Sequence, residues 1–394
     1  MKSALTIEDI SLEIASGIAC ALSQVVSDGV LHLRPFSVTD DGRLSIADAP
    51  RIPQSAVPAN KMRFEAGDIL FNNTNSVELV GKSAVFSTVL DASFSNHMTR
   101  IRVNRRHAEP GYVHAYLRHL YRRRFFQDRA TRWVSQAAFG TAQLKALEVP
   151  LPPLDEQRRI VGLLDRAAEI RRRTDAARGR ARAIIPALFL DTFGDPATNP
   201  KGWPVVSVGE VLDSASYGTS QKASDTGAGL PVIRMGNVTM DGQLDTADLK
   251  YIELTEMERE KAELLEGDLL FNRTNSKELV GKTGLWDGRF DAVAASYFIR
   301  LRVNRERIVP AYLWAFFNTS HMKRVLFQTA RGAIGQANIN AKELRVFPVA
   351  TPPLPLQKTF AEQAQRLEAL ARALDTACAK AEAMAAGLSA EVFG

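Results

Sequence analysis

Two stretches of the chain carry residues suited to burial at a strict alternation of three and four. One runs from Ile160 through Leu163, Ala167, Ile170, Thr174, Ala177, Ala181 and Ile184 to Leu188. The other runs from Phe360 through Gln363, Leu367, Leu370, Leu374, Ala377, Ala381 and Met384 to Leu388. Four heptads of this kind predict a coiled coil. Neither helix buries its seam alone, and the small side chains at 177, 181, 377 and 381 let two helices approach closely, so the two are expected to pair with each other. About 30 residues at 1.5 Å each make a rod of ~45 Å, a spacer. Prolines 150, 152 and 153, and again 348, 352, 353 and 355, precede the helices as stiff lead-ins, because proline does not fit a helix interior. Pro186 is expected to kink or end the first helix near its last turn.

Ahead of each helix the pattern is mixed. Leu230 to Arg234, Asp268 to Asn272 and Ile299 to Val303 read as short strands, from β-branched and aromatic residues between Gly and Asn turns. Each section is therefore an α+β domain. The two sections repeat one another with a shift of 200. GDILFNNTNSVELVGK at 67 to 82 answers to GDLLFNRTNSKELVGK at 267 to 282, thirteen of sixteen positions being identical. Arg34, Asp41 and Gly42, the Arg100 to Arg105 segment, and Pro152, Pro153, Leu154 and Gln157 recur at the same shift. A period this long means two whole units rather than a solenoid. The expected organisation is 1–150 and 195–350 as globular domains, with 151–194 and 351–394 as helical spacers. A pseudo-twofold relation between the units makes the helix pairing antiparallel and suits a target with two related halves.

Composition narrows the class. With 394 residues, 45% of them hydrophobic, the chain fills ordinary cores. It has no apolar run long enough for a membrane span, and MKSALTIEDISLEIASG lacks the character of a signal peptide, so cytoplasmic residence is expected. Cys20 and Cys378 lie far apart, which gives neither a disulfide framework nor a zinc site. The net charge of +6 favours polyanionic partners. Between positions 100 and 132 ten arginines stand against Glu109 and Asp128, interleaved with Tyr112, Tyr116, Tyr121, Phe125 and Phe126. This mixture suits a phosphate backbone, or equally an amphipathic helix with an Arg-rich outer face.

Taken together, PVIRMGNVTMDG at 231 to 242, the block at 267 to 282, and the lead-ins PLPPLDEQRRI and TPPLPLQKTF resemble the specificity subunit of type I restriction-modification systems. The resemblance covers essentially the whole chain. It implies two target-recognition domains joined by paired helices and reading the halves of a bipartite, asymmetric double-stranded DNA site, with no catalytic role. It also implies docking of two adenine methyltransferase subunits on the helices, completed by restriction subunits with translocase activity. S-adenosylmethionine, ATP and magnesium then belong to those partners, and this chain holds no cofactor or metal. The first unit departs from the pattern in Pro35 and Phe36, where the second has Met235 and Gly236.

Candidate DNA contacts follow. Asn72, Asn73, Thr74, Asn75 and Ser76, and Asn272, Arg273, Thr274, Asn275 and Ser276, are either base and phosphate contacts or the polar residues of a hairpin turn. Positions shared by both units, Lys82 and Lys282 among them, are expected to hold the backbone. Position 73/273, Asn against Arg, is the clearest candidate for base readout. Tyr217, Thr219, Ser220, Gln221 and Lys222 form a DNA-facing or merely solvated loop. Arg34 and Arg234 point at DNA or pair with Asp41 and Asp241. The outer faces of both helices are expected to dock partners, with the basic face around Arg171, Arg172 and Arg173 free for carboxylates or phosphates.

A catalytic reading fails on the motifs. Gly81-Lys82-Ser83 and Gly281-Lys282-Thr283 imitate the end of a Walker loop, but the glycine required five residues earlier is Ser76 or Ser276. There is no DPPY or NPPF tetrad for a flipped adenine. The competing interpretation is a stand-alone sequence-specific DNA-binding protein or an interaction scaffold.

Overall fold

The computed structural model describes residues 3–134, 136–225, 227–333 and 336–394. The chain parts into two compact units: residues up to Arg173 together with Ala377–Gly394, and Thr174–Thr376. The division cuts through both long helices, so each unit contains an α+β domain and portions of two helices.

In the first unit the central sheet is antiparallel, ordered Ser11–Ser16, Met98–Val103, Ile69–Asn72 and Ser83–Val85. Its middle strands are largely buried on both faces, Ile69–Asn72 through its apolar run and Met98–Val103 with Thr99 and Arg100 buried among its apolar residues. One face packs on Tyr112, Val113 and Leu117 of the helix Pro110–Arg122, the other on a cluster around Leu33, Phe64, Phe86 and Phe94. That second cluster is closed by a smaller sheet in which Val30–Leu33 runs parallel to Leu90–Phe94. A three-stranded ribbon, Thr131–Arg132, Ala137–Ala138 and Thr74–Asn75, extends from the recurring block.

The second unit repeats the plan. Its central sheet runs Leu212–Tyr217, Phe298–Val303, Leu269–Asn272, Thr283–Leu285, and its smaller sheet includes Leu230–Ile233 parallel to Val293–Ala294. The ribbon is Thr274–Asn275, Gln336–Asn338 and Arg331–Ala333.

The long helices are Leu154–Phe193 and Leu354–Phe393, 40 residues each. The first continues through the exposed Pro186. The proline removes one backbone donor without ending the helix, so of the two expected outcomes, a kink or an end, the end is corrected. Pro355 sits in the first turn of the second helix, where an N–H has no intrahelical partner to lose. The recurring Gln157 and Gln357 pin the lead-ins. Gln157 Nε2 donates to Pro152 O at 2.9 Å while its Oε1 accepts from Glu109 N, and Gln357 does the same with Pro352 O at 2.7 Å and Val309 N.

Within each unit the paired helix segments run antiparallel. In the second unit Asp375 takes Arg178 at 2.7 Å and Arg182 at 3.3 Å, while Phe360 packs on Phe189 and Phe193. In the first unit Arg171 reaches Glu382 at 3.6 Å, and Arg159 feels the charge of Glu391.

The phase of the seam differs from the sequence reading at alternate positions. Ile160, Ala167, Thr174 and Ala181 face inward, but Leu164, Arg171, Arg178 and Ile185 accompany them, while Ile170 and Ile184 are about half exposed. In the second helix Ala364, Ala371, Cys378 and Ala385 take the places expected for Gln363, Leu370, Ala377 and Met384. Ala181 and Ala381 are buried; Ala177 and Ala377 are partly so. The slip has a physical origin: Arg171 and Arg178 enter the seam by burying their stems while the charged ends find Glu382 and Asp375, which periodicity in apolar residues does not register.

Candidate nucleic-acid interface

The recurring block forms a strand, a turn and a strand. Gly81 and Gly281 turn it with φ of +91° and +85°, and an added Cβ would lie 2.3 Å from the Phe126 ring or 2.6 Å from the Leu326 side chain. Only glycine fits there. Asn72 and Asn272, expected at the surface, are fully buried. Asn72 Nδ2 donates to Pro35 O at 2.9 Å, whereas the Asn272 amide has no hydrogen-bond partner among the described residues. Both asparagines lie in the interior, against the expectation that they contact DNA.

The lysines of the block are also internal. Lys282 Nζ donates to Met235 O at 3.0 Å and Val238 O at 2.6 Å, and burial lowers its pKa. Lys82, equally buried, reaches Asp40 at 2.8 Å. Each ties the block to the loop that follows residue 34 or 234. Both Nζ groups are thus engaged within their domain, against the expectation that they hold phosphate. Lys282→Ala is expected to lower stability by about 1–3 kcal/mol, since the buried Val238 carbonyl and the part-buried Met235 carbonyl lose their donor, while the salt dependence of DNA binding stays as in the wild type. Denaturation midpoints and binding isotherms at several salt concentrations check this, and a salt slope reduced by about one unit would return Lys282 to the phosphates.

Thr74, Asn75 and Ser76 are half-exposed and, with Pro35, His97 and Gln136, line a polar cleft of about 320 Å³ in the first unit. Asn75 and Asn275 each accept from the next residue's backbone N–H, at 2.8 and 2.9 Å, a bond of the kind that short polar side chains make in turns. Thr274 and Ser276 are half-exposed in the same way.

At the variable position the units diverge. Asn73 is held by Thr74 at 3.3 Å and Thr99 at 3.1 Å. Arg273 instead stacks on Tyr217, its guanidinium carbon 4.6 Å from the ring centroid, and no carboxylate pairs with it among the described residues. Tyr217 Oη accepts from Ala341 N at 3.3 Å, which steadies the ring. Thus two residues singled out separately in the sequence lie together. The strand register shows that Tyr217 answers to Ser16, since Ile299 faces Tyr217 and Thr99 faces Ser16, so the first unit has no such pair.

The loop beyond Tyr217 is outward: Ser220, Gln221 and Lys222 are exposed and Thr219 is half-buried. Thr219 Oγ1 accepts from Gln221 N, and Gln221 reaches Glu258. Arg234 pairs with Asp248 at 3.1 Å rather than with Asp241. Asp41, likewise, pairs with Arg43 and Arg171, while Arg34 has a buried Nη2 without a hydrogen-bond partner among the described residues.

The Arg-rich segment divides. Arg100 is buried on Glu13 and the carbonyls of Arg63 and Asn60, and Arg102 is locked on Asp68. Both are structural, as are Arg300 and Arg302 near Asp268. Arg122, Arg123, Arg124, Arg129 and Arg132 remain exposed. The arginines of the first long helix are largely occupied too: Arg172 and Arg173 pair with Glu169, and Arg171 with Asp41 and Glu382. The expected free basic face is therefore much reduced.

Sequence reasoning passed over Trp133 and Val134, which stand exposed at the tip of the first unit's ribbon. Their signal was an apolar pair between Arg132 and Ser135 that belongs to no periodic pattern. Among the described residues no group of three His, Cys, Asp or Glu side chains is arranged to hold a metal ion, and no helix is long and apolar enough to cross a membrane.

The duplicated plan matches known proteins. The chain is 26% identical over 369 residues to the type I restriction enzyme EcoKI specificity subunit of Escherichia coli (strain K12), covering 89% of this chain and 77% of that one. It is 22% identical to the StySPI specificity subunit of Salmonella potsdam over 90% of this chain and 78% of that one. A crystal structure of a type I restriction-modification S subunit from M. genitalium shares the fold with a TM-score of 0.64 at 12% identity, covering 100% of this chain and 96% of that one. A structure from work on assembly and conformational transition of the type I R-M system gives 0.55 at 20% identity, covering 99% and 97%. The model of the type I restriction modification DNA specificity domain matches residues 52–174 and 200–378, once in each repeat and over more than half of the chain. The chain belongs to the type I restriction-modification specificity family.

Proposed function

We infer that this chain is the DNA sequence-specificity subunit of a type I restriction-modification complex and reads a bipartite, asymmetric site in double-stranded DNA. The observation that carries this reading is the specificity domain occurring twice, with the two copies differing at position 73/273 on a shared scaffold. Each domain reads one half of the target and the antiparallel helices set the spacing. The chain contributes recognition rather than catalysis. S-adenosylmethionine is bound by two adenine methyltransferase subunits, ATP and magnesium by restriction subunits, and the complex works in the cytoplasm.

The displaced seam supplies docking positions for the methyltransferase subunits. Ile170 and Met384 in the first unit are 49% and 73% exposed, and Ile184 and Leu370 in the second are 48% and 52% exposed. Each lies beside the seam rather than in it. An aspartate at Ile184 or Leu370 is expected to reduce copurification of one methyltransferase subunit at least tenfold while leaving the melting temperature within about 2 °C, since outward positions contribute little to folding. Unchanged stoichiometry in both variants would move docking elsewhere.

Methylome sequencing of a host with and without this chain tests the function itself. A split adenine-methylated motif that appears only with the chain is expected. A selected DNA site without any methyltransferase association would favour the stand-alone DNA-binding protein, and the absence of a selected site would overturn DNA recognition.

A further inference from the structure

The ribbon of the first unit ends in a tight turn. Thr131 faces Ala138 and Arg132 faces Ala137 across the strands, and Trp133 N donates to Gln136 O at 2.7 Å. The ribbon is anchored to the recurring block through Ala137–Ala138 against Thr74–Asn75 and through Phe139 N on Asn73 O at 2.9 Å. On this turn Trp133 is 60% exposed and Val134 fully so. By contrast Trp286 and Trp314 are buried and Trp203 is half-buried, donating to Phe193 O. Leaving an indole in water forgoes a large apolar burial, so an indole fixed on a hydrogen-bonded turn is placed to cover something.

Its surroundings indicate what. Gln136, at the base of the turn, lines the polar cleft with Thr74, Asn75 and Ser76. Arg129 and Arg132 flank the ribbon, exposed, with Arg132 Nη2 donating to Gln127 O and Arg129 stacked on Phe125 at 4.0 Å. An aromatic edge between cations and amide groups matches a nucleic acid, whose bases offer flat π faces and whose backbone offers phosphates. An exposed apolar tip on a two-stranded ribbon also has the form of a wedge that enters a base step and unstacks it.

We propose that Trp133 stacks on a base of the half-site read by the first unit, wedging one base step open while Arg129 and Arg132 hold the adjoining phosphates. This rests on the DNA-recognition reading above. It makes the two half-sites unequal in deformation, because the shift of 200 places Ala333 where the first unit has Trp133.

The test uses the full chain without methyltransferase subunits, so that base flipping does not contribute, and a duplex carrying the site that the wild type selects from a random library. Adding the duplex to the wild type is expected to remove the iodide-quenchable part of tryptophan emission, a change absent in Trp133→Phe. Trp133→Ala is expected to bind about tenfold more weakly, with Trp133→Phe within about threefold of the wild type. With 2-aminopurine scanned through the first half-site, one position brightens with the wild type and stays dark with Trp133→Ala. Circular dichroism melts of both variants should match the wild type, as the side chain is outside the core. A selected site bound equally well by Trp133→Ala, or an indole still open to iodide in the complex, overturns the proposal alone. Loss of methyltransferase copurification in Trp133→Ala with DNA affinity unchanged also overturns it, because the indole then covers a protein. Failure of the wild type to select any site overturns the DNA reading and this proposal with it.

Discussion

Arg273→Ala is expected to lose discrimination at one base pair of one half-site by about 1–3 kcal/mol, with preference at the other half-site unchanged. The expectation rests on the difference between Asn73 and Arg273 and on the setting of the Arg273 side chain. The guanidinium is stacked on Tyr217 and lacks a carboxylate partner among the described residues, so its planar fork is oriented yet not consumed. A guanine edge is the natural complement of such a fork. Tyr217 is a positioning residue in this arrangement. Removing its ring in Tyr217→Ala should weaken the same base preference by about 0.5–1 kcal/mol, the scale of an exposed cation–π contact. Tyr217→Phe keeps the ring and loses only the hydroxyl's link to Ala341 N, so it should behave nearly as the wild type. Binding-site selection on the three variants decides this. A uniform loss across all sequences for Arg273→Ala would mean that the side chain holds phosphate instead.

The largest stability effect is expected at Phe360, where the second helix leaves its proline lead-in. Its ring is fully buried, 5.3 Å from Phe193 and 5.8 Å from Phe189, and Phe193 in turn packs edge-on against Tyr312 at 4.7 Å. Phe360→Ala should cost about 3–5 kcal/mol, because the lost transfer energy adds to a cavity that the three remaining rings and the packed helices cannot close. In the first unit the corresponding site is looser. Phe393, only partly buried, covers Tyr112 at 5.2 Å and Tyr116 at 5.4 Å, so Phe393→Ala should cost less. Trp286 and Trp314 are both buried in the second unit, so their emission follows its unfolding in urea. A Phe360→Ala unfolding free energy within about 1 kcal/mol of the wild type, the ordinary effect of a point mutation, would show that the helix segment does not hold this domain together.

The duplication, the α+β character of each unit and the antiparallel pairing of the helices were all legible in the linear order of residues. Their signals are local or periodic: a shift of 200 in matched blocks, strand-sized apolar runs between turns, and heptads after prolines. Repetition also told the pairing direction, because two equivalent units that each lack a partner for one helix face satisfy both faces at once. What only the tertiary structure decided is which polar residues face outward. Asn272, Lys282, Arg100 and Arg302 have the residue types of a DNA surface, but they close the interior with hydrogen bonds to carbonyls and carboxylates far along the chain, or lie buried without a partner. The contact between Arg273 and Tyr217 joins positions 56 residues apart, and the seam admits Arg171 and Arg178 because Glu382 and Asp375 arrive from the other helix. Burial of a charge depends on a partner that sequence proximity does not reveal, whereas burial of an apolar face repeats with the period of its own helix or strand.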